Sequence, residues 1–240
     1  MRVRVLDGPD DIADMAAATI AHRLNECSGR ATLGLAGGST PRTTYTRLLQ
    51  EDVDWESVHA WVADERWVAP DHVDNNLRMI RNTLLDRVPA HVYPVPWEPD
   101  GDPLEAADRY ERTLLELLPG VNGVPHPDVV LLGIGEDGHT ASLFPGTAAL
   151  DVQDRWFVAN WIPAKDGWRL TATLPLLHAA RDIVFLASGS AKAAPLARIL
   201  AGGEEPELPA RRVMEGAATI TWLIDRPAAA KLGDYPVEYV

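Results

Sequence analysis

Val129-Val130-Leu131-Leu132-Gly133-Ile134-Gly135-Glu136-Asp137-Gly138-His139-Thr140-Ala141-Ser142-Leu143-Phe144-Pro145 is the stretch whose reading decides the fold. Its apolar start, led in by Pro127-Asp128 and ended by Gly-x-Gly, reads as a buried strand of an α/β sheet. In such sheets ligands bind just beyond the carboxyl ends of the strands. Two acids, a histidine and three glycines are thus delivered to the position where a site is expected. Histidine exchanges a proton near neutral pH, and glycine lets the backbone bend tightly and approach a ligand.

Strand and helix patterns alternate outward from this segment. Arg2–Leu6, Ala31–Ala36, His59–Ala63, Asp182–Ala187 and Ala218–Ile224 read as strands, and 156–162 and 170–173 as two more. Val92–Pro94 reads as an edge strand restricted by prolines. Amphipathic helices are expected over 10–25, 39–49, 76–85, 104–118 and 191–200, with a short one over 174–179. Pro119-Gly120 reads as a helix stop and Gly202-Gly203-Glu204-Glu205-Pro206 as a surface loop. The alternation predicts a single α/β domain over 1–240: a modified doubly wound, Rossmann-like, mostly parallel sheet with helices on both faces.

At 240 residues the chain is long enough to bury a large core. No apolar run approaches the roughly 20 residues that span a bilayer, and the N-terminus lacks the apolar core of a signal peptide. One cysteine, Cys27, excludes an internal disulfide framework and a cysteine-based zinc site. These features favour a cytoplasmic protein without a membrane partner. A net charge of −13 argues against nucleic-acid binding, which needs basic surface. It leaves room for an anionic small molecule held by two or three local cations.

Four groups carry the chemistry. Gly37-Gly38-Ser39-Thr40-Pro41-Arg42 follows a strand and reads as a hydroxyl-capped helix start with an anion-binding N-terminus, or as an ordinary turn with a good cap. This stretch shows neither P-loop nor Gly-x-Gly-x-x-Gly spacing, so no dinucleotide is expected there. Asp64-Glu65-Arg66 ends another strand; Arg66 offers a planar fork to phosphate or a surface ion pair. Asp74-Asn75-Asn76 reads as a helix cap or a sugar-hydroxyl contact. In the Gly135 loop, Asp137 stands two residues before His139, close enough to set its tautomer, while Glu136 reads as a helix-start or surface acid. No second histidine stands three or four residues away, so metal-free acid–base work ranks above a metal site. Ser188-Gly189-Ser190-Ala191-Lys192 places Lys192 in the first turn of a helix, where it can complete an anion site. The remaining histidines receive no role, and the eight tryptophans read as core or pocket wall.

These four motifs, in this order, together resemble the 6-phosphogluconolactonase family within the glucosamine/galactosamine-6-phosphate isomerase superfamily. The resemblance covers residues from about 31 to 202, and the His139 motif is its most specific part. It implies metal- and cofactor-free hydrolysis of 6-phospho-D-glucono-1,5-lactone to 6-phosphogluconate, the second step of the oxidative pentose phosphate pathway. It implies that His139 is the catalytic histidine and Asp137 its supporting acid. Arg66 and Lys192 match the phosphate contacts, Arg169 a further arginine, and Gly38, Ser39 and Thr40 the pocket-lining loop. Glucosamine-6-phosphate deaminases and isomerases carry Asn-Glu-Pro where this chain has Leu143-Phe144-Pro145, and commonly Asp-Glu-Tyr in place of Asp64-Glu65-Arg66. Such an enzyme and a non-catalytic sugar-phosphate sensor are the two alternatives. A monomer is expected.

Overall fold

The computed structural model describes residues 1–118, 120, 121, 123–201 and 208–240. Pro119 and the 202–206 loop therefore lie outside the described residues. Chain order gives strands β1 (Arg2–Leu6), β2 (Ala31–Leu35), β3 (Val58–Val62), β4 (Asp64–Arg66), β5 (His91–Tyr93), β6 (Gly120–Val121), β7 (Val124–Pro125) and β8 (Val129–Gly133). Then follow β9 (Phe157–Ile162), β10 (Gly167–Ala172), β11 (Asp182–Ala187), β12 (Thr219–Asp225) and β13 (Glu238–Tyr239). The helices are α1 (Pro9–Asn25), α2 (Ser39–Leu48), α3 (Asn76–Thr83), α4 (Pro103–Leu117), α5 (Leu174–His178), α6 (Ala193–Ala201), α7 (Pro209–Gly216) and α8 (Arg226–Ala229).

Eight strands form one sheet in the order β13-β1-β12-β11-β8-β2-β3-β5. Every pairing in it is parallel. Its central strands are buried end to end, which is why they read as unbroken apolar runs rather than alternating ones. Gly34, in mid-strand, has a packing reason: a Cβ there would lie 2.7 Å from the indole of the fully buried Trp61 on β3. From β2 the chain winds outward through β3 to β5, and from β8 it winds the other way through β11 to β12. The boundary between β2 and β8 is the switch point of a doubly wound sheet, where the two halves diverge and leave a crevice. The expected edge strand is indeed at the edge, as β5.

The sequence reading needs correcting at Asp64-Glu65-Arg66. This segment is not simply the end of a sheet strand but a separate strand, β4, in a three-stranded antiparallel sheet ordered β4-β10-β9. Ala63 makes the transition: its N–H donates to the Leu35 carbonyl in the large sheet, and its carbonyl accepts from Ala172 of β10. The segments 156–162 and 170–173, expected as strands, supply β9 and β10 of this small sheet. α7 and β13 were not anticipated.

A second correction concerns α2. Its N-cap is Gly38, at φ 115°, and no side chain caps it; Ser39 is already the first helical residue. The left-handed glycine starts the helix one residue earlier than a hydroxyl cap would. α3 is capped as read, with the Asn75 side chain accepting from the Arg78 N–H at 2.7 Å.

Candidate active site

A cleft of about 270 Å³ opens at the switch point. It is walled by residues 36–41 after β2, 133–135 after β8 and 186–188 after β11, together with Asp64, Arg66, Asn76, His139, Ala141 and Lys192. Three parallel strands thus end at its floor, and the small sheet closes one side. Of the residues singled out in the sequence, Gly38, Ser39, Thr40, Arg66, His139 and Lys192 all face one cavity. Asp137 stands behind His139 rather than on the wall. Arg169 also lies off the wall, directly opposite Arg66 in the β4–β10 register.

The His139 loop is held by its own backbone. Gly135 N–H donates to the His139 carbonyl at 2.8 Å, and Thr140 Oγ1 donates to the Gly133 carbonyl at 2.8 Å. Asp137 Oδ1 accepts from the His139 backbone N–H at 3.1 Å and lies 2.5 Å from its Nδ1. Partial burial pushes the Asp137 carboxyl up, but these bonds and the neighbouring imidazole outweigh it and hold the acid below its usual range. An ionised carboxylate only accepts, so Nδ1 carries a proton, and in the neutral ring the lone pair is then on Nε2. The imidazole is 28% exposed, neither sealed in the core nor free in solvent. Gly135 makes this packing possible: a Cβ there would sit 2.0 Å from His139 Nδ1 and 2.5 Å from Asp137 Oδ1. Just beyond, Ala141 adopts φ 47°, a left-handed conformation uncommon for a non-glycine residue.

Several supporting groups were not legible as such in the sequence. Phe144 stacks on the His139 ring, with centroids 4.0 Å apart and planes at 22°. Tyr45 reaches back from α2 to bond both backbone groups of Ala36, fixing the end of β2 before the glycine loop. Asp225, at the end of β12, accepts from Ser188 Oγ, Gly189 N–H and Ala228 N–H, which shapes the turn carrying Lys192. That turn is a 3₁₀ segment, Ser190–Lys192, leading into α6. The Asp-Arg-Pro at 225–227 carries the signal of a helix cap, which the sequence reading passed over.

The cationic side rests on Glu65. Its buried carboxylate accepts from the backbone N–H groups of Arg66, Asn76 and Leu77 at 2.7–2.9 Å, tying β4 to the start of α3. Burial pushes its pKa up to about 7 despite those three donors. Arg66 Nη1 donates to the Asp74 carbonyl at 2.9 Å. Arg169 donates to its neighbour's carbonyl, and burial and the adjacent Arg66 charge both lower its pKa. Two guanidinium groups directly opposite each other repel, and an anion between them relieves the repulsion. Among the described residues no group of three or more His, Cys, Asp or Glu is arranged to hold a metal ion, and no helix is long and apolar enough to cross a membrane. None of the other histidines lines the cleft.

A parallel sheet with a carboxylate-paired imidazole and cations around a cleft at its switch point defines a doubly wound α/β protein of the kind that binds ligands at its strand ends. Residues 7–222 match the family model described as glucosamine-6-phosphate isomerases/6-phosphogluconolactonase, and the chain belongs to that family. Within it, the chain is 37% identical to the 6-phosphogluconolactonase of Synechocystis over 96% of its length and 98% of the relative's. It is 35% identical to the 6-phosphogluconolactonase of Rattus norvegicus, over 98% and 95% of the two chains. The solved structure of 6-phosphogluconolactonase from Trypanosoma brucei superposes with a TM-score of 0.89 at 28% identity, covering 97% and 98%.

Proposed function

We propose that this chain hydrolyses 6-phospho-D-glucono-1,5-lactone to 6-phospho-D-gluconate, the second step of the oxidative pentose phosphate pathway. The observation that carries the proposal is His139, backed by Asp137, on one wall of a cleft also lined by Arg66 and Lys192. The full-length similarity to lactonases supports it. So does Phe144, stacked on the imidazole where the isomerase branch carries an acid.

In this reading His139 Nε2 takes a proton from the attacking water while Asp137 holds the ring in the required tautomer. Negative charge then builds on the carbonyl oxygen, and backbone N–H groups of the glycine loops stabilise it. The protonated imidazole returns its proton to the departing ring oxygen, so the C–O bond opens and a carboxylic acid forms. Arg66, Lys192 and, behind them, Arg169 hold the distant phosphate and so fix the ring over His139. Gly38, Ser39 and Thr40 line the remaining wall. No metal or cofactor takes part, and the chain acts in the cytoplasm as a monomer of one domain over 1–240.

The test is lactone loss measured against the spontaneous background, with and without a chelator. Acceleration that survives the chelator is expected. A rate equal to the background rejects the proposal.

A further inference from the structure

Asp64 lines the cleft together with Arg66 and His139; it opens the Asp64-Glu65-Arg66 motif, yet the mechanism above gives it no role. It is only 6% exposed, and it forms no ion pair among the described residues. Its Oδ2 accepts from Ser142 Oγ at 2.7 Å; its Oδ1 has no hydrogen bond among the described residues. The carboxylate as a whole is shielded, but its unbonded oxygen is not sealed from solvent, so it is an acceptor available to a ligand in the cleft.

The carboxylate is also rigidly placed. Its backbone carbonyl accepts from Asn76 Nδ2 at 2.9 Å. Ser142, which grips Oδ2, donates its N–H to Thr171 Oγ1 at 3.1 Å, and its carbonyl accepts from Asn160 Nδ2 at 2.9 Å. Three strands and the His139 loop therefore converge on one acceptor in the cleft. Asn76 packs so closely beneath Gly37 that a Cβ there would lie 1.8 Å from Asn76 Oδ1, so the opposite wall is fixed relative to it.

We infer that Asp64 is a specificity-determining residue whose free carboxylate oxygen accepts a hydrogen bond from one ring hydroxyl of the lactone. This rests on the functional reading above. The chemistry is selective because an ionised carboxylate only accepts: it rewards a hydroxyl donor and loses that hydrogen bond when the hydroxyl is missing. Position matters as well. Asp64 and Arg66 are two residues apart on β4 and so share a face of the small sheet. The same strand thus anchors the phosphate and reads the ring it carries.

The experiment compares kcat/KM of the wild type and Asp64→Asn on the parent lactone and on its 2-, 3- and 4-deoxy analogues. Asparagine keeps an acceptor for Ser142 Oγ, so a purely structural role predicts little change. The expected result is a loss of about 10–100-fold on the parent. One deoxy analogue should be cleaved equally by both enzymes, because the lost partner is already absent. A loss of the same factor on all four substrates, or no loss, overturns the inference. If the variant does not fold, the wild type alone still decides: one deoxy analogue must fall about tenfold or more below the others, and a flat series overturns the inference. A wild type that leaves the parent lactone at its background rate rejects the functional reading, and this inference with it. That result is distinct from a flat series.

Discussion

The two sides of the cleft are built differently. The His139 side is a loop at the end of a buried parallel strand, closed on itself by the Gly135 N–H and the Thr140 hydroxyl. The Arg66 side is a three-residue strand of a small antiparallel sheet, attached to α3 through the buried Glu65 carboxylate and the Asn76 side chain. The first places one proton-transferring group with little freedom; the second gathers positive charge. Under the proposed function, chemistry depends on the first and affinity on the second, so each is expected to be disturbed without the other.

The sharpest break is His139→Ala, expected to lower kcat by about 10²–10⁴-fold with KM little altered. Unchanged turnover would remove the imidazole from the mechanism. Gly135→Ala tests the same side through packing. A methyl group 2.0 Å from Nδ1 must displace the ring, so kcat should fall by about 10²-fold or more while phosphate binding persists. Normal turnover in that variant would mean the loop relaxes freely.

On the other side, Arg66→Ala should raise KM by about 10–100-fold and leave kcat within a few-fold. A collapse of kcat at unchanged KM would contradict the division of labour. The smallest effect belongs to Glu65. Its folded pKa of about 7 lies above the ordinary 4.5, so its contribution to stability is complete below about pH 4.5 and lost as pH rises through about 7. Thermal unfolding across pH 5–8 should show wild-type stability declining relative to Glu65→Gln, by at most about 1.4 kcal/mol per pH unit. Parallel pH profiles would show that its three backbone donors hold the carboxylate ionised.

The sequence disclosed these sides unequally. Buried parallel strands are apolar on both faces, so β2, β8 and β11 stand out as runs ending in glycine or serine, and the loops after them were readable as site loops. β4 had no such pattern, because Asp64, Glu65 and Arg66 are polar and their burial depends on partners far along the chain. Ser39 was misread as a cap because its residue type fits, whereas the positive φ at Gly38 decides where α2 begins. Phe144 was legible only as a departure from a motif; its stacking on the imidazole is a property of the folded loop.

By itself the sequence determined the strand ends, the Asp137-Gly138-His139 juxtaposition and the cations available, because these follow from local hydrophobicity and short spacing. Only the tertiary structure decided that Arg66 and Arg169 face each other, that Asp64 is buried with one oxygen unused, and that Asp225 shapes the Lys192 turn. Those relations join residues 36 to 103 positions apart, and what fixes them is sheet pairing and the need to satisfy buried polar groups.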